Sequence, residues 1–68
     1  LTVPIDTPER LLEARQALGM TQRELAEALG ITSTAIRHME RARRPIERRT
    51  DLAIRYLLAA NRITRKLR

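Results

Sequence analysis

Apolar residues recur along most of this chain at the three-and-four spacing that gathers them on one side of a helix. From Pro8 to Leu18 the stripe is carried by Leu11, Leu12 and Leu18, with Arg15 set among them. Thr7-Pro8-Glu9 opens it with a capping hydroxyl, a proline suited to the first turn and an acid near the positive end of the dipole. Gly19 stops the run, and Met20 can fold back on it as a hydrophobic lid. A second segment, 22–29, starts from Thr21, whose spacing to Glu24 is that of a capping box, and it aligns Leu25, Ala26 and Leu29. Gly30 supplies the turn, Ile31 an apolar anchor and Thr32 a cap for a third helix, with Ala35, Ile36 and Met39 inward.

Ala42 has no ease at positive φ, so this third helix is expected to span 33–42 before Pro45 ends it. A fourth is expected over 47–60, with Leu52, Ala53, Tyr56, Leu57 and Ala60 on one side and Arg48, Arg49, Asp51 and Arg55 elsewhere. Asn61 reads as its stop. Residues 61–68 then form a basic tail, an extension of the fourth helix, or a fifth helix. Residues 1–6 have no period, contain Pro4, and read as an extended or frayed lead-in. The fold class is all-α.

Composition narrows the chemistry. A chain of 68 residues is one domain, and a chain that short buries only about 60% of the surface its unfolded form exposes. With no Trp or Phe and one Tyr, the core must come from Leu, Ile, Ala and Met, which suits packed helices. The absence of Cys excludes disulfides and thiolate metal sites. A single His cannot build a metal site alone, and neither metal nor cofactor is expected. No Ser/His/Asp or Cys/His set, no carboxylate pair in a plausible cleft and no glycine-rich phosphate loop is present, so no enzyme is expected. No apolar run approaches the ~20 residues of a membrane span and no signal-peptide layout opens the chain, so the expectation is a cytoplasmic protein without a membrane partner.

The net charge of +6 is unevenly placed. Residues 1–30 hold three Arg against five acids, whereas residues 31–68 hold eleven Lys or Arg against three acids. Arg37, Arg41, Arg43, Arg44, Arg48 and Arg49 fall within thirteen residues, in and just after the third helix. A charge run is often only a solvated face. Beside two short helices joined by a tight turn, it becomes a footprint for a polyanion.

Residues 21–40 resemble the helix-turn-helix of the phage repressor and Cro-type family, also called the XRE family. The residues that carry the resemblance are Gln22 opening the first motif helix, Ala26 at the helix crossing, Gly30 in the turn, Ile36 and Met39 facing inward, and Glu40 closing. It implies a lambda-repressor-like bundle of four to five short helices, and a glycine more usual at position 42. Arg15, in the apolar stripe of the first helix, is implied to form a structural salt bridge with Glu40.

The resemblance further implies double-stranded DNA as the partner, with the third helix in the major groove and the second across the backbone. Ser33 and Thr34 are then presented to bases, with Arg37 and His38 one turn on. Arg37 has the fork for a bidentate guanine contact, while the family pattern puts His38 at the more usual reading position; both stay open. Gln22 either holds a phosphate at the helix start or braces a side chain of the recognition helix. Arg41, Arg43 and Arg44 are expected to clamp phosphates, with Arg48 and Arg49 weaker candidates.

Proteins of this kind bind two-fold operators with half-sites ~34 Å apart, so a homodimer is expected. Its surface would lie on the fourth helix and tail, at Tyr56, Leu58, Ile63 and Leu67, Leu58 because it falls off the inward stripe. The function expected is a sequence-specific transcription regulator, a repressor on a palindromic operator, nucleoid-associated when bound. The alternative is a HigA-like antitoxin that holds a toxin, or another regulator, and controls its own promoter. A third reading is nonspecific nucleic-acid coating, which competition with unrelated duplex would reveal.

Overall fold

Three threonine hydroxyls fix where the first three helices begin. Thr7, Thr21 and Thr32 each sit in extended backbone and accept a hydrogen bond from the N–H three residues on, satisfying a donor that the helix itself leaves free. The computed structural model describes the backbone of residues 4–67 and the side-chain surroundings of residues 4–61. Four helices follow in order, α1 (Pro8–Leu18), α2 (Gln22–Leu29), α3 (Ser33–Glu40) and α4 (Arg48–Leu67), and the described residues contain no strand.

α2 and α3 form the closest pair, with α1 packed across α3 and α4. The turn between α2 and α3 needs Gly30 at φ 72°, where its N–H and that of Ile31 return to the carbonyls of Glu27 and Ala26. Ala26 is buried where the helices meet. Around it lie Leu11, Leu25, Ile36 and Ile54, all with no exposed surface, together with Ala14, Ala35 and Met39. Arg15 shares α1's inner half with Leu11 and Ala14, whereas Leu12 faces out. Ile31 is also 37% exposed, so the anchor expected there is only partial.

Four expectations are corrected. α3 ends at Glu40, not residue 42, because Ala42 does adopt the left-handed conformation, at φ 59°. Its N–H bonds the Met39 carbonyl at 3.2 Å and the Arg43 N–H bonds the His38 carbonyl at 2.8 Å, closing the helix as a glycine would. These two bonds offset the steric cost of a β-carbon in that conformation. Ala42→Gly should therefore stabilise the fold by about 0.5–1 kcal/mol, the strain relieved less the added freedom of the unfolded chain. Urea unfolding checks it through a higher midpoint at unchanged slope.

The second correction is the end of α4. Asn61 does not stop the helix, which continues to Leu67. No Gly or Pro interrupts residues 47–68, and cations near a helix C-terminus favour its dipole. Ile63 and Leu67 thus hold helical positions, while their side chains lie outside the described residues.

The third correction is α4's inward face. Leu52, expected on one side with Leu57, is 49% exposed while Leu57 packs on the core; Tyr56, expected at the dimer surface, is 72% exposed, and the buried positions of α4 among the described residues are Ile54 and Asp51. Leu58, expected off the inward stripe, packs against the core beside Leu57. The fourth is the lead-in. Ile5 is buried in the core, and its N–H donates to Asp51 Oδ1 at 2.8 Å. Arg55 Nε donates to the same oxygen at 2.9 Å, so the buried carboxylate is satisfied from both sides.

Candidate nucleic-acid interface

The inward residues of α3 leave its other side free. With Ala35, Ile36 and Met39 against the core, Ser33, Thr34 and Arg37 are exposed and His38 is half-buried. Helical spacing puts Ser33 and Arg37 in one row, leading to Arg41 just past the helix end, and Thr34 and His38 in the neighbouring row. The outward surface thus begins with two small hydroxyl residues and ends in guanidinium groups.

The far end of α3 is held by a polar cluster. Arg15 Nε donates to Glu40 Oε2 at 2.7 Å and Nη2 to Oε1 at 3.2 Å, a two-point contact between side chains only 17% and 10% exposed. Arg15 Nη1 also donates to the Met20 carbonyl at 3.1 Å. The Gln22 amide donates to Glu40 Oε1 at 3.0 Å, so this side chain braces the recognition helix. One carboxylate therefore ties together α1, the α1–α2 turn, the start of α2 and the end of α3. The Arg15–Glu40 pairing is the one that the family resemblance implies. The Met20 carbonyl has no such signal, because a backbone acceptor leaves no mark on residue type.

Burial by itself would raise the Glu40 pKa, but the hydrogen bonds from Arg15 and Gln22 and the charge of Arg15 outweigh it and hold the value below the usual 4.5. A carboxyl with a depressed folded pKa contributes stability that is complete above its unfolded value and is lost as pH falls from there through the folded value. In urea unfolding, the stability advantage of the native chain over Glu40→Gln should be constant above about pH 5 and shrink as pH falls below about 4.5. An advantage that grows towards acid would contradict this linkage.

Gln22 opens α2, where Thr21 and Glu24 cap each other through Thr21 N–H to Glu24 Oε1 at 2.9 Å and Glu24 N–H to Thr21 Oγ1 at 3.1 Å. The N–H groups of Gln22 and Arg23 in that first turn have no helical partner. They remain able to meet an anion even though the Gln22 amide is engaged.

The arginines among the described residues divide into two sets. Arg10, Arg15, Arg23, Arg49 and Arg55 each face a carboxylate, from Asp6, Glu40, Glu27, Glu47 and Asp51 respectively. Arg37, Arg41, Arg43, Arg44 and Arg48 are exposed and form no ion pair among the described residues. In sequence this unpaired set runs from the outward side of α3 through the segment that follows it to the first residue of α4. Arg43 and Arg44 lie in the loop that returns past the start of α1, beside Asp6, Pro8 and Met39. No group of His, Asp or Glu suited to a metal ion occurs among the described residues, and no described helix is long and apolar enough to cross a membrane.

The sequence pattern of the Helix-turn-helix family matches residues 11–50, more than half of the chain and the whole of α2, the turn and α3. No curated protein gives a significant match. With the family pattern, the all-helical architecture and the paired α2 and α3 in agreement, this chain belongs to the XRE, lambda-repressor-like family of helix-turn-helix DNA-binding transcription regulators.

Proposed function

We propose that the chain is a sequence-specific repressor that acts in the cytoplasm, two copies occupying the halves of a palindromic operator as a dimer and excluding polymerase. The observation that carries this reading is the run of exposed guanidinium groups, Arg37, Arg41, Arg43 and Arg44, on α3 and just after it, none of them in an ion pair among the described residues. Ser33 and Thr34 meet base edges or the phosphates beside them. Arg37 reads guanine through its fork, being exposed and free of any carboxylate, while the half-buried His38 contacts the neighbouring base or phosphate. Arg41, Arg43 and Arg44 clamp phosphates, and the N–H groups at the start of α2 hold another.

Selection of bound sequences from random duplex at fixed salt tests the reading. A palindromic motif is expected, with Arg37→Ala relaxing one position of it at a loss of about 1–3 kcal/mol. Failure of any motif to emerge would leave only nonspecific coating. For the clamps, log K against log salt should fall by about 0.9 per phosphate neutralised, and Arg43→Ala should reduce that slope by about one unit. A slope unchanged in Arg43→Ala would remove that residue from the contact.

A second reading, a regulator of the antitoxin type that also holds another protein, is favoured by Leu52 and Tyr56, which α4 turns to solvent.

A further inference from the structure

α4 carries two apolar arcs. One, through Ile54, Leu57 and Leu58, packs on the core. The other lies on the opposite side, where Leu52, Tyr56 and Ala59 succeed one another at spacings of four and three, all exposed. That spacing is the seam of a helix that receives a second helix, and Ile63 continues it in register. An exposed Leu alone needs no explanation, but a helix already buried on one side gains nothing in its own fold from an apolar line on the other.

The flanks of the seam differ. One edge has Ala53 and Ala60, small enough for a neighbouring backbone to come close. The other has Arg48 and Arg55 seven residues apart, with Arg62 in the same register. Next to Leu52 a depression of about 330 Å³ is lined by Ile46, Arg48, Leu52 and Arg55, and the two acids in its wall, Asp6 and Asp51, are already bonded to Arg10 and Arg55. The surface offered is apolar along its centre, with Arg48 as the unpaired cation at its side among the described residues and Arg55 already held by Asp51.

We propose that this face of α4 is a docking surface for an amphipathic helix of a partner protein that bears carboxylates beside its own apolar seam. Charge selects that occupant over a second copy of the chain. Residues 47–67 hold six cations against two carboxylates, so two copies joined at this face would set net positive charge against net positive charge. A helix with Glu along its edge meets Arg48 in place of that repulsion. Free copies then stay monomeric, and the dimer forms on the operator, one copy per half-site. The proposal does not rest on DNA recognition, and it is tested without DNA.

Tyr56 is the only aromatic residue of the chain, so its emission reports on the seam directly. The full chain is titrated with a synthetic helix that has Leu along its seam and Glu on both flanks, and the quenching of Tyr56 by acrylamide is followed. The expected result is at least threefold protection of Tyr56. A Lys-flanked version and a scrambled peptide of equal charge should each bind at least tenfold more weakly. Leu52→Ser should weaken the complex at least tenfold with helicity and DNA affinity unchanged, because Leu52 lies outside both the core and α3. The proposal is overturned if the Glu-flanked helix leaves Tyr56 unprotected or binds no better than its scrambled form. It is equally overturned if protection comes from raising the protein concentration alone, which means a second copy, or only from phosphatidylglycerol vesicles, which means a membrane surface.

Discussion

Ile5→Ala is expected to cost the fold about 2–4 kcal/mol, as much as a truncation in the middle of a helix core, although Ile5 precedes the first helix. Its side chain is 2% exposed and belongs to the same cluster as Leu11 and Ile54. A domain of this length has about 3–10 kcal/mol in all, so the loss approaches half of it. The residue is fixed twice, by its side chain in the core and by its N–H on Asp51 Oδ1. Asp51→Ala removes the second hold, strands that N–H and leaves Arg55 without its acid, at about 1–3 kcal/mol. Since both changes loosen one strap, the double variant should lose less than the sum. Urea unfolding followed by helix circular dichroism measures all three, and an Ile5→Ala chain within about 0.5 kcal/mol of native would refute the strap.

The strap also shows where reading the sequence stops. The starts of α1, α2 and α3 are written in neighbouring residues, since a hydroxyl three positions before a free N–H acts locally. Ile5 and Asp51 are separated by 46 positions, and no local pattern links an isolated Ile after a Pro to an Asp on a distant helix. Periodicity fails on α4 for a different reason. With apolar residues on both sides, the spacing is satisfied by either face, and local pattern does not say which of Leu52 and Tyr56 or Ile54, Leu57 and Leu58 meets the core. Ile54, Leu57 and Leu58 go inward, and Asp51 can go with them only because Ile5 and Arg55 supply donors to it.

Ala42 is a milder case of the same limit. Its residue type opposes positive φ, but the two backbone bonds behind it and the return of the chain to Ile46, which packs on the core, override that preference. At the candidate interface the division is similar. The outward row Ser33, Thr34 and Arg37 follows from the inward one, whereas which arginines are left unpaired depends on where Glu47 and Asp51 settle. The family pattern speaks for the backbone of the motif.

Glu40→Ala should be the most damaging single change in the polar cluster of the motif, at about 2–4 kcal/mol of stability and at least a tenfold loss of DNA affinity. Breaking a buried pair leaves the surviving charge without compensation, typically at 3–5 kcal/mol. The lower range applies here because Arg15 keeps the Met20 carbonyl and 17% of its side-chain surface in water. The affinity loss has a separate cause. Glu40 is the last residue of α3, and without it neither α1 nor Gln22 holds that end of the rod, so Arg37 and Arg41 lose the fixed placement that the proposed DNA contact requires. Arg15→Ala should reproduce most of both effects, and Gln22→Ala a smaller part, since it removes one bond of the three to the carboxylate. The Arg15→Ala/Glu40→Ala double variant should be less damaged than the two single losses added together, by about 1–3 kcal/mol, because no unpaired charge remains. Glu40→Gln keeps the size and one acceptor, and should recover part of the affinity but not the acid-dependent stability. Unfolding and operator titration on the five chains separate these terms. Strict additivity in the double variant would mean that the two residues act alone, and the end of α3 would then have to be held by the core contacts of Met39 and Ile36 instead.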